Sequence, residues 1–243
     1  MSLPYFYEPD LPLVGGTWPL SEASAKHAVQ VLRLRKGDQM MLTNGQGSKA
    51  LAELVSADKK SAVVALHPAA SIPLPAVQIS LALAPVKHPA RLEWLLEKAT
   101  EMGVSRIVFL HTDHTEKSSQ KKERWEQILV SAMLQSQQVF KPELVLQVPF
   151  EQAIRAEGPV QKYLAHCAGP VKPLVEILMS QPKLEKGEHQ LFIGPEGDFS
   201  AKEIAWAQAK GVYEIGLGPT RLRTETAALV GLALLLQKSF TCA

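Results

Sequence analysis

The sequence predicts an α/β fold, with a small β-rich domain ahead of a larger domain built on a parallel sheet. Three observations predict it. From Val77 onward, apolar strand-like runs alternate with segments of helical periodicity, the pattern of a largely parallel sheet covered on both faces. Residues 1–70 instead carry short apolar runs separated by turn sequences. Between the two lies "HPAASIPLPA", residues 67–76, whose three prolines remove amide donors and fix φ, so neither a helix nor a central strand continues through it. The domains are therefore expected at 1–70 and 77–243.

In the first domain, "DQMMLTNGQGSKALAELVSADKKSAVVAL" gives three strands separated by "NGQG" and "ADKK", both good turn chemistry. A small barrel or sandwich should result, with one helix over Ser21–Leu32 for which Ser21 and Ser24 offer the N-cap. In the second domain "VQISLALAP" reads as a strand. "ARLEWLLEKATEMG" reads as an amphipathic helix, packed through Leu92, Leu95, Leu96 and Ala99 and closed by Gly103. "RIVFL" is the next strand, and "KKERWEQILVSAMLQSQQ" is a long helix stopped before Pro142. "ELVLQV", "KYLAHC", "QLFIG" and "YEIGLG" are further strands, with helices after most of them. The apolar run "AALVGLALLL", Ala227 to Leu236, is too short to span a bilayer, which needs roughly 18 apolar residues. A helix buried in a core or a subunit interface explains it, and no membrane association is expected.

Composition narrows the function classes. With 243 residues, 46% hydrophobic and 21% charged, the chain reads as an ordinary globular protein. A formal net charge of +2 does not by itself call for a nucleic acid, so any such partner must be held by local patches. Two cysteines, Cys167 and Cys242, make no disulfide framework and fit a cytoplasmic setting. The start, "MSLPYFYEPDLP", has neither a basic nor an apolar segment of a signal peptide.

Ligands of open α/β sheets bind beyond the C-terminal ends of the strands, and two loops there share a design. "LFIGPEGDFSAKEI" runs from strand through Gly-Pro-Glu-Gly into Ser200-x-x-Glu203, a capping box. "YEIGLGPTRLRTETAALVGL" runs from strand through Gly216-Leu-Gly218-Pro219 into the apolar helix. Neither is a phosphate device, because GxxxxGK[ST] is absent and no GxGxxG stands at a strand-to-helix turn. Glu196 and Asp198 would repel a pyrophosphate. A neutral adenosine carrying a positive centre, as in S-adenosylmethionine, suits these loops better, although tight turns alone would also account for them.

"IGPEGDFSAKEI" with "LGPTRLRTETAAL" resembles the C-terminal signature of the SPOUT-class methyltransferases that modify uridine N3 in small-subunit (16S) ribosomal RNA. "LLEKATEMGV" at 95–104 resembles a further segment of that family, and "KHAVQVLRLRKGD" at 26–38 resembles its PUA-like RNA-binding domain. The matches keep their order over almost the whole chain. The resemblance implies a trefoil-knotted C-terminal domain that binds S-adenosyl-L-methionine, a homodimer, and 16S ribosomal RNA or the assembled small subunit as partner. It places cofactor binding on Ile193, Gly194, Pro195, Glu196 and Gly197, on Ile215, Leu217 and Gly218, and on Leu222, Thr224 and Ala227. Arg223 becomes the candidate for polarising the uracil or binding its phosphate. Glu225 is the candidate for proton removal or for fixing Arg223, against a plain helix-start ion pair.

The sequence departs from the family pattern at three places. Asp198 stands where a second glycine is usual. Thr220 and Arg221 fill the middle of a segment that commonly reads Gly-Pro-Arg-Ile-Leu-Arg. Gln137 and Gln138 stand where an arginine often follows the Gln-Ser of the long helix.

Of the basic sets, Lys26, Arg33, Arg35 and Lys36, with His27 beside them, are the candidate phosphate contacts. Lys117, Lys121, Lys122 and Arg124 form a second set, diluted by Glu116 and Glu123. His111, Asp113 and His114 give only a weak metal spacing, so no metal is expected. Cys167 is expected to be inert core. The competing readings are a catalytically inactive RNA-binding protein that retains the fold, and a nucleotide-dependent oxidoreductase, which lacks its glycine fingerprint.

Overall fold

The computed structural model describes residues 3–58, 61–115 and 121–240. The chain forms two compact units, Met1–Leu74 with Val130–Lys141, and Pro75–Leu129 with Pro142–Ala243.

The first unit is a six-stranded sheet made of β1 (Tyr5–Tyr7), β2 (Gly16–Pro19), β3 (Gln39–Thr43), β4 (Ser48–Ala57), β5 (Ala62–Leu66) and β6 (Ala70–Ser71). Its order is β1-β3-β4-β5-β2, with β6 on β4; β1 joins β3 in parallel and the other pairings are antiparallel. Alternate residues Met40, Leu42, Ala50, Ala52, Leu54, Ala62, Val64 and Leu66 fill one core. Helix α1 (Glu22–Lys26) starts at Ser21, whose hydroxyl accepts from the Ser24 N–H and donates to the buried Glu8 carboxylate at 2.9 Å. The helix widens into a π segment over His27–Val31. Thus the expected single helix is present but changes its hydrogen-bond pattern halfway.

In the second unit the elements are β7 (Val77–Leu83), α2 (Pro89–Glu101), β8 (Arg106–His111), α3 (Lys122–Gln135), β9 (Glu143–Pro149), α4 (Phe150–Arg155) and β10 (Pro159–Ala165). They continue with β11 (Lys172–Pro173), α5 (Leu174–Ser180), β12 (Gly187–Ile193), α6 (Ala201–Ala209), β13 (Tyr213–Gly216) and α7 (Thr224–Phe240). Helix α3 begins in this unit and ends in the first, where Gln137 takes a positive φ of 57° and closes it short of the expected Gln138.

The seven strands run in the order β11-β13-β10-β12-β7-β8-β9, and every pairing is parallel. Their side chains alternate between two cores, as period two demands. Leu81, Leu83, Leu191 and Ile193 face the core shared with α2, α5 and α7. Ala82, Phe192 and Leu164 face the core shared with α4 and α6. Helix α2 starts with Pro89 and ends before Gly103, whose φ of 89° suits the helix exit.

Helix α7 buries a stripe of Thr224, Glu225, Ala228, Gly231, Leu232, Leu235 and Leu236. Leu229, Val230 and Leu234 on its other faces are half-buried within the single chain. Gly231 marks the close approach of α7 to the sheet, since a Cβ there would stand 2.6 Å from the Leu191 side chain. Among the described residues no helix is long and apolar enough to cross a membrane.

Candidate active site

Strands β10, β12 and β13 are neighbours, so the loops leaving their C-terminal ends meet on one edge of the sheet. Three segments, 165–171, 193–198 and 215–227, line a cavity of about 550 Å³ there, within the range of small-molecule sites. Ile193, Ile215, Leu217, Leu222 and Ala227 supply apolar wall, while Gly194, Pro195 and Gly218 let backbone form the rest.

Three hydrogen bonds tie the segments together, and a fourth fastens the first segment to β13. Thr224 Oγ1, at the first position of α7, donates to the Gly194 carbonyl at 3.2 Å. Arg221 Nη2 donates to the Glu196 carbonyl at 3.2 Å. Cys167 N–H donates to Asp198 Oδ2 at 2.8 Å, and the His166 ring is 3.0 Å from Glu214 Oε2 on β13. The capping box at α6 is complete: Ser200 Oγ accepts from Glu203 N–H, and Glu203 accepts from Ser200 N–H at 2.8 Å.

Of the predicted cofactor residues, Ile193, Gly194, Pro195, Glu196, Ile215, Leu217, Gly218, Leu222, Thr224 and Ala227 line this cavity together. Gly197 lies off the lining; it packs against His114, 3.3 Å from where its Cβ would stand. Arg223 lines the cavity and is exposed, with no carboxylate partner among the described residues. Glu225 lies off the lining, is buried, and faces Arg91 at 3.7 Å.

The two carboxylates of the first loop have different employment. Asp198 takes a positive φ of 64°, a conformation that glycine adopts more easily, and its two oxygens accept from Cys167 N–H and Phe199 N–H. Glu196 is exposed, and its carboxylate has no partner among the described residues. Negative charge at the cavity is therefore carried by Glu196 and by the already hydrogen-bonded Asp198, and Arg221 and Arg223 bring positive charge to the same lining.

Cys167 is a correction to the sequence reading: it is exposed and lines the cavity, because the chain has already left β10 and turned out of the sheet. His166, Gly169, Val171, Thr220 and Arg221 also line it and were not singled out for this role. The rule that locates sites at strand ends applied to "KYLAHC" as well, and would have found the first three. His111 is exposed, while Asp113 and His114 serve loop structure. The Asp113 carboxylate accepts from Ser200 Oγ–H at 2.6 Å, and the His114 ring N–H donates to the Asp198 carbonyl at 2.9 Å.

A family model described as an RNA methyltransferase domain matches residues 73–236, and one described as an RNA methyltransferase PUA domain matches residues 20–66. The chain belongs to the RNA methyltransferase family. Ribosomal RNA small subunit methyltransferase E of Synechocystis is 30% identical over 226 residues, covering 91% of this chain and 73% of that protein. Among solved structures, a chain from Porphyromonas gingivalis is 34% identical, with a TM-score of 0.87 over 99% of this chain and all of that one. Ribosomal RNA small subunit methyltransferase E from Neisseria gonorrhoeae, crystallised with S-adenosyl methionine, gives a TM-score of 0.85 at 25% identity, covering 97% of this chain and 98% of that one.

The methyltransferase fold and the PUA-like β domain expected from the sequence are thus both present. In the PUA-matched region Lys26, Arg33, Arg35 and Lys36 are all exposed, as is His27. Arg33 sits at a φ of 55° just past the π segment, which turns it away from the helical path. In the second basic set Arg124 is paired with Glu93 at 3.1 Å, and Lys117 lies outside the described residues.

Proposed function

We propose that this protein methylates N3 of a uridine in 16S ribosomal RNA, presented free or within the assembled small subunit, with S-adenosylmethionine as donor. The observation that carries the reading is the make-up of the cavity in a member of an RNA methyltransferase family. Its walls are largely apolar side chains and Gly-Pro backbone, it exposes the carboxylate of Glu196, which has no partner among the described residues, beside Arg221 and Arg223, and its loops carry no phosphate-binding motif. Such a site suits a neutral adenosine with a cationic sulfur.

S-adenosylmethionine, when bound, supplies an electrophilic methyl group. The chain's own work is positioning, because the nucleophile must lie about 3–3.5 Å from the methyl carbon, in line with the bond that breaks. Ile193, Ile215, Leu217, Leu222 and Ala227 would hold the apolar surface of the adenosine, and Gly194, Pro195, Glu196, Gly218 and Thr224 its polar edges, with Gly197 shaping the loop from outside the lining. N3 loses a proton during attack, so a cation near O2 or O4 lowers the barrier. Arg223, exposed and without a carboxylate partner at the cavity, is the group for that role. Glu225 is the candidate to take the N3 proton, directly or through water, or to fix Arg223, and it lies off the lining beside Arg91. An N3 engaged in base pairing is unreachable, so the target uridine is unpaired or flipped out.

The reading assigns residues 1–70 to RNA binding through Lys26, Arg33, Arg35 and Lys36, and residues 77–243 to a knotted catalytic domain. It includes a homodimer, for which the half-buried Leu229, Val230 and Leu234 of α7 are available, and a cytoplasmic location. The test is methyl transfer to assembled small subunits and to naked 16S RNA, followed by mass spectrometry of the nucleosides. Formation of 3-methyluridine supports the reading, and its absence from both substrates overturns it. Cofactor binding without transfer would favour the inactive RNA-binding alternative.

A further inference from the structure

The turn that follows β8 carries Asp113 and His114, which the sequence singled out and which no step above uses. The turn is closed on itself. Thr112 N–H donates to Thr115 Oγ1 at 2.9 Å, Thr115 N–H donates to the Thr112 carbonyl at 3.1 Å, and Thr112 is buried. In the sheet β7 stands between β8 and β12, yet the turn reaches past β7 and docks on the chain leaving β12. Asp113 N–H donates to Glu203 Oε1 at 3.0 Å, and the Asp113 carboxylate accepts from Ser200 Oγ–H at 2.6 Å. Nδ1 of His114 lies 2.9 Å from the Asp198 carbonyl. A carbonyl only accepts, so this nitrogen carries the proton.

Of these contacts, the one from His114 reaches the cavity wall. Glu196 and Asp198 line the cavity, whereas Gly197 between them lies off the lining, its Cβ position 3.3 Å from the Cβ of His114. His114 thus stands behind the wall. Among the described residues of the lining Asp198 alone, glycines aside, takes a positive φ, at 64°. A residue with a Cβ holds that conformation only where its surroundings enforce it. The Asp198 carboxylate accepts from the amides of Cys167 and Phe199, and its carbonyl is held by His114. Cys167 belongs to the cavity segment after β10. The loops after β8, β12 and β10 are therefore joined in series, His114 to Asp198 and Asp198 to Cys167, with the first link outside the cavity.

We propose that His114 is a positioning residue for the cofactor: through its bond to the Asp198 carbonyl it braces the 196–198 wall, and with it the Cys167 link, in the form that receives the ligand. This rests on the proposed use of the cavity for S-adenosylmethionine. Asparagine at 114 places an amide donor near the position of Nδ1, whereas leucine fills similar space and donates nothing. Asp113 keeps the turn docked in both variants, so each substitution tests one bond.

The test is calorimetric titration of wild type, His114→Asn and His114→Leu with S-adenosylmethionine, alongside steady-state methyl transfer to the RNA substrate. His114→Leu is expected to weaken S-adenosylmethionine about three- to tenfold, the value of one lost hydrogen bond, and to raise its KM by a similar factor. Turnover at saturating cofactor and KM for RNA should stay at the wild-type level, and His114→Asn should restore most of the affinity. Equal losses in both variants, or no loss in His114→Leu, overturn the proposal. A raised KM for RNA with cofactor affinity intact also overturns it, and would make His114 an RNA contact. Failure of the wild type to bind S-adenosylmethionine would instead overturn the functional reading. Should His114→Leu not fold, nitrogen NMR of the wild-type ring decides the matter: a neutral His114 protonated on Nδ1 supports the proposal, and one protonated on Nε2 refutes it.

Discussion

Thr224 Oγ1 donates to the carbonyl of Gly194 at 3.2 Å, and by that bond the first residue of α7 closes onto the loop leaving β12. Both residues are buried, so the carbonyl has no water to fall back on. Valine at 224 keeps the shape and removes the donor. Thr224→Val should therefore lose about 1–2 kcal/mol of unfolding free energy, the cost of a buried acceptor left unpaired. It should also weaken the cofactor, since the two loops that line the cavity come apart. Thr224→Ser keeps the hydroxyl and should stay near wild type in chemical denaturation; equal losses in the two variants would show that the methyl group, not the bond, matters.

Asp198 is held at a φ of 64° and yet is no glycine, because its carboxylate satisfies the amides of Cys167 and Phe199. The two effects oppose each other and can be separated. Asp198→Ala keeps the backbone strain, roughly 1–2 kcal/mol for a residue with a Cβ in this region, and loses both hydrogen bonds. Asp198→Gly loses the same bonds but relieves the strain. Glycine should thus be the milder substitution by about 1 kcal/mol in equilibrium unfolding. Alanine equal to or more stable than glycine would disprove the account.

The sheet was legible because a strand buried on both faces is a continuous apolar run, and "LAL" at the end of β7 and "LFI" at the end of β12 are such runs. The short elements were harder. Strand β11 is two residues, Lys172–Pro173, and helix α5 follows it with no side-chain cap, so neither carries a local signal. The π segment over His27–Val31 was invisible for another reason: its residues suit an ordinary helix, and only the hydrogen-bond register differs. At the site, glycines and prolines marked two of the three cavity loops. The third, 165–171, is defined by where β10 lies in the sheet, between β12 and β13, and strand order is not written in any single segment. Glu225 shows the same limit. Its place beside Arg223 in sequence suggested a shared role, whereas the helix turns it inward toward Arg91.

Gly231 allows α7 to lie against β12, and the methyl group of an alanine would meet Leu191 at 2.6 Å. The neighbour is a leucine that is itself fully buried, so it has little room to move. Helix propensity favours alanine by about 1 kcal/mol, but overpacking a core costs about 1–3 kcal/mol. Gly231→Ala should therefore be destabilising on balance, with a lowered Tm. A raised Tm would mean that α7 shifts outward freely.

Tyr163 is fully buried, stacked on His189 and Tyr213, and its hydroxyl lies 3.3 Å from His189 Nδ1. Burial, with smaller contributions from Tyr213 and Glu185, holds its phenol above the usual range. The folded state thus favours the neutral phenol, and this stability is fully present below the unfolded value of about 10 and lost as pH rises beyond it. Unfolding free energy should fall between about pH 10 and 11 by up to about 1.4 kcal/mol per unit from this group. Tyr163→Phe starts lower at neutral pH, having lost the bond to His189, but its decline over the same interval should be shallower. Parallel curves would remove Tyr163 as the cause.

Arg223 is exposed at the cavity and lacks a carboxylate partner among the described residues, whereas Glu225, two residues on, is buried beside Arg91. A cation with no structural partner at a site of proposed anion development is available for the transition state, and removing such a group typically costs about 10²–10³ in turnover. Arg223→Ala should lose turnover on that scale while S-adenosylmethionine binding stays near normal, because the backbone of Leu222 and Thr224 remains. Glu225→Gln should behave in the opposite way, lowering stability through the contact with Arg91 and leaving turnover close to wild type. The pair of variants, compared by single-turnover methyl transfer and by thermal unfolding, assigns the roles. Unchanged turnover in Arg223→Ala would remove it from the chemistry, and a collapse of turnover in a folded Glu225→Gln would move the proton-accepting role to Glu225.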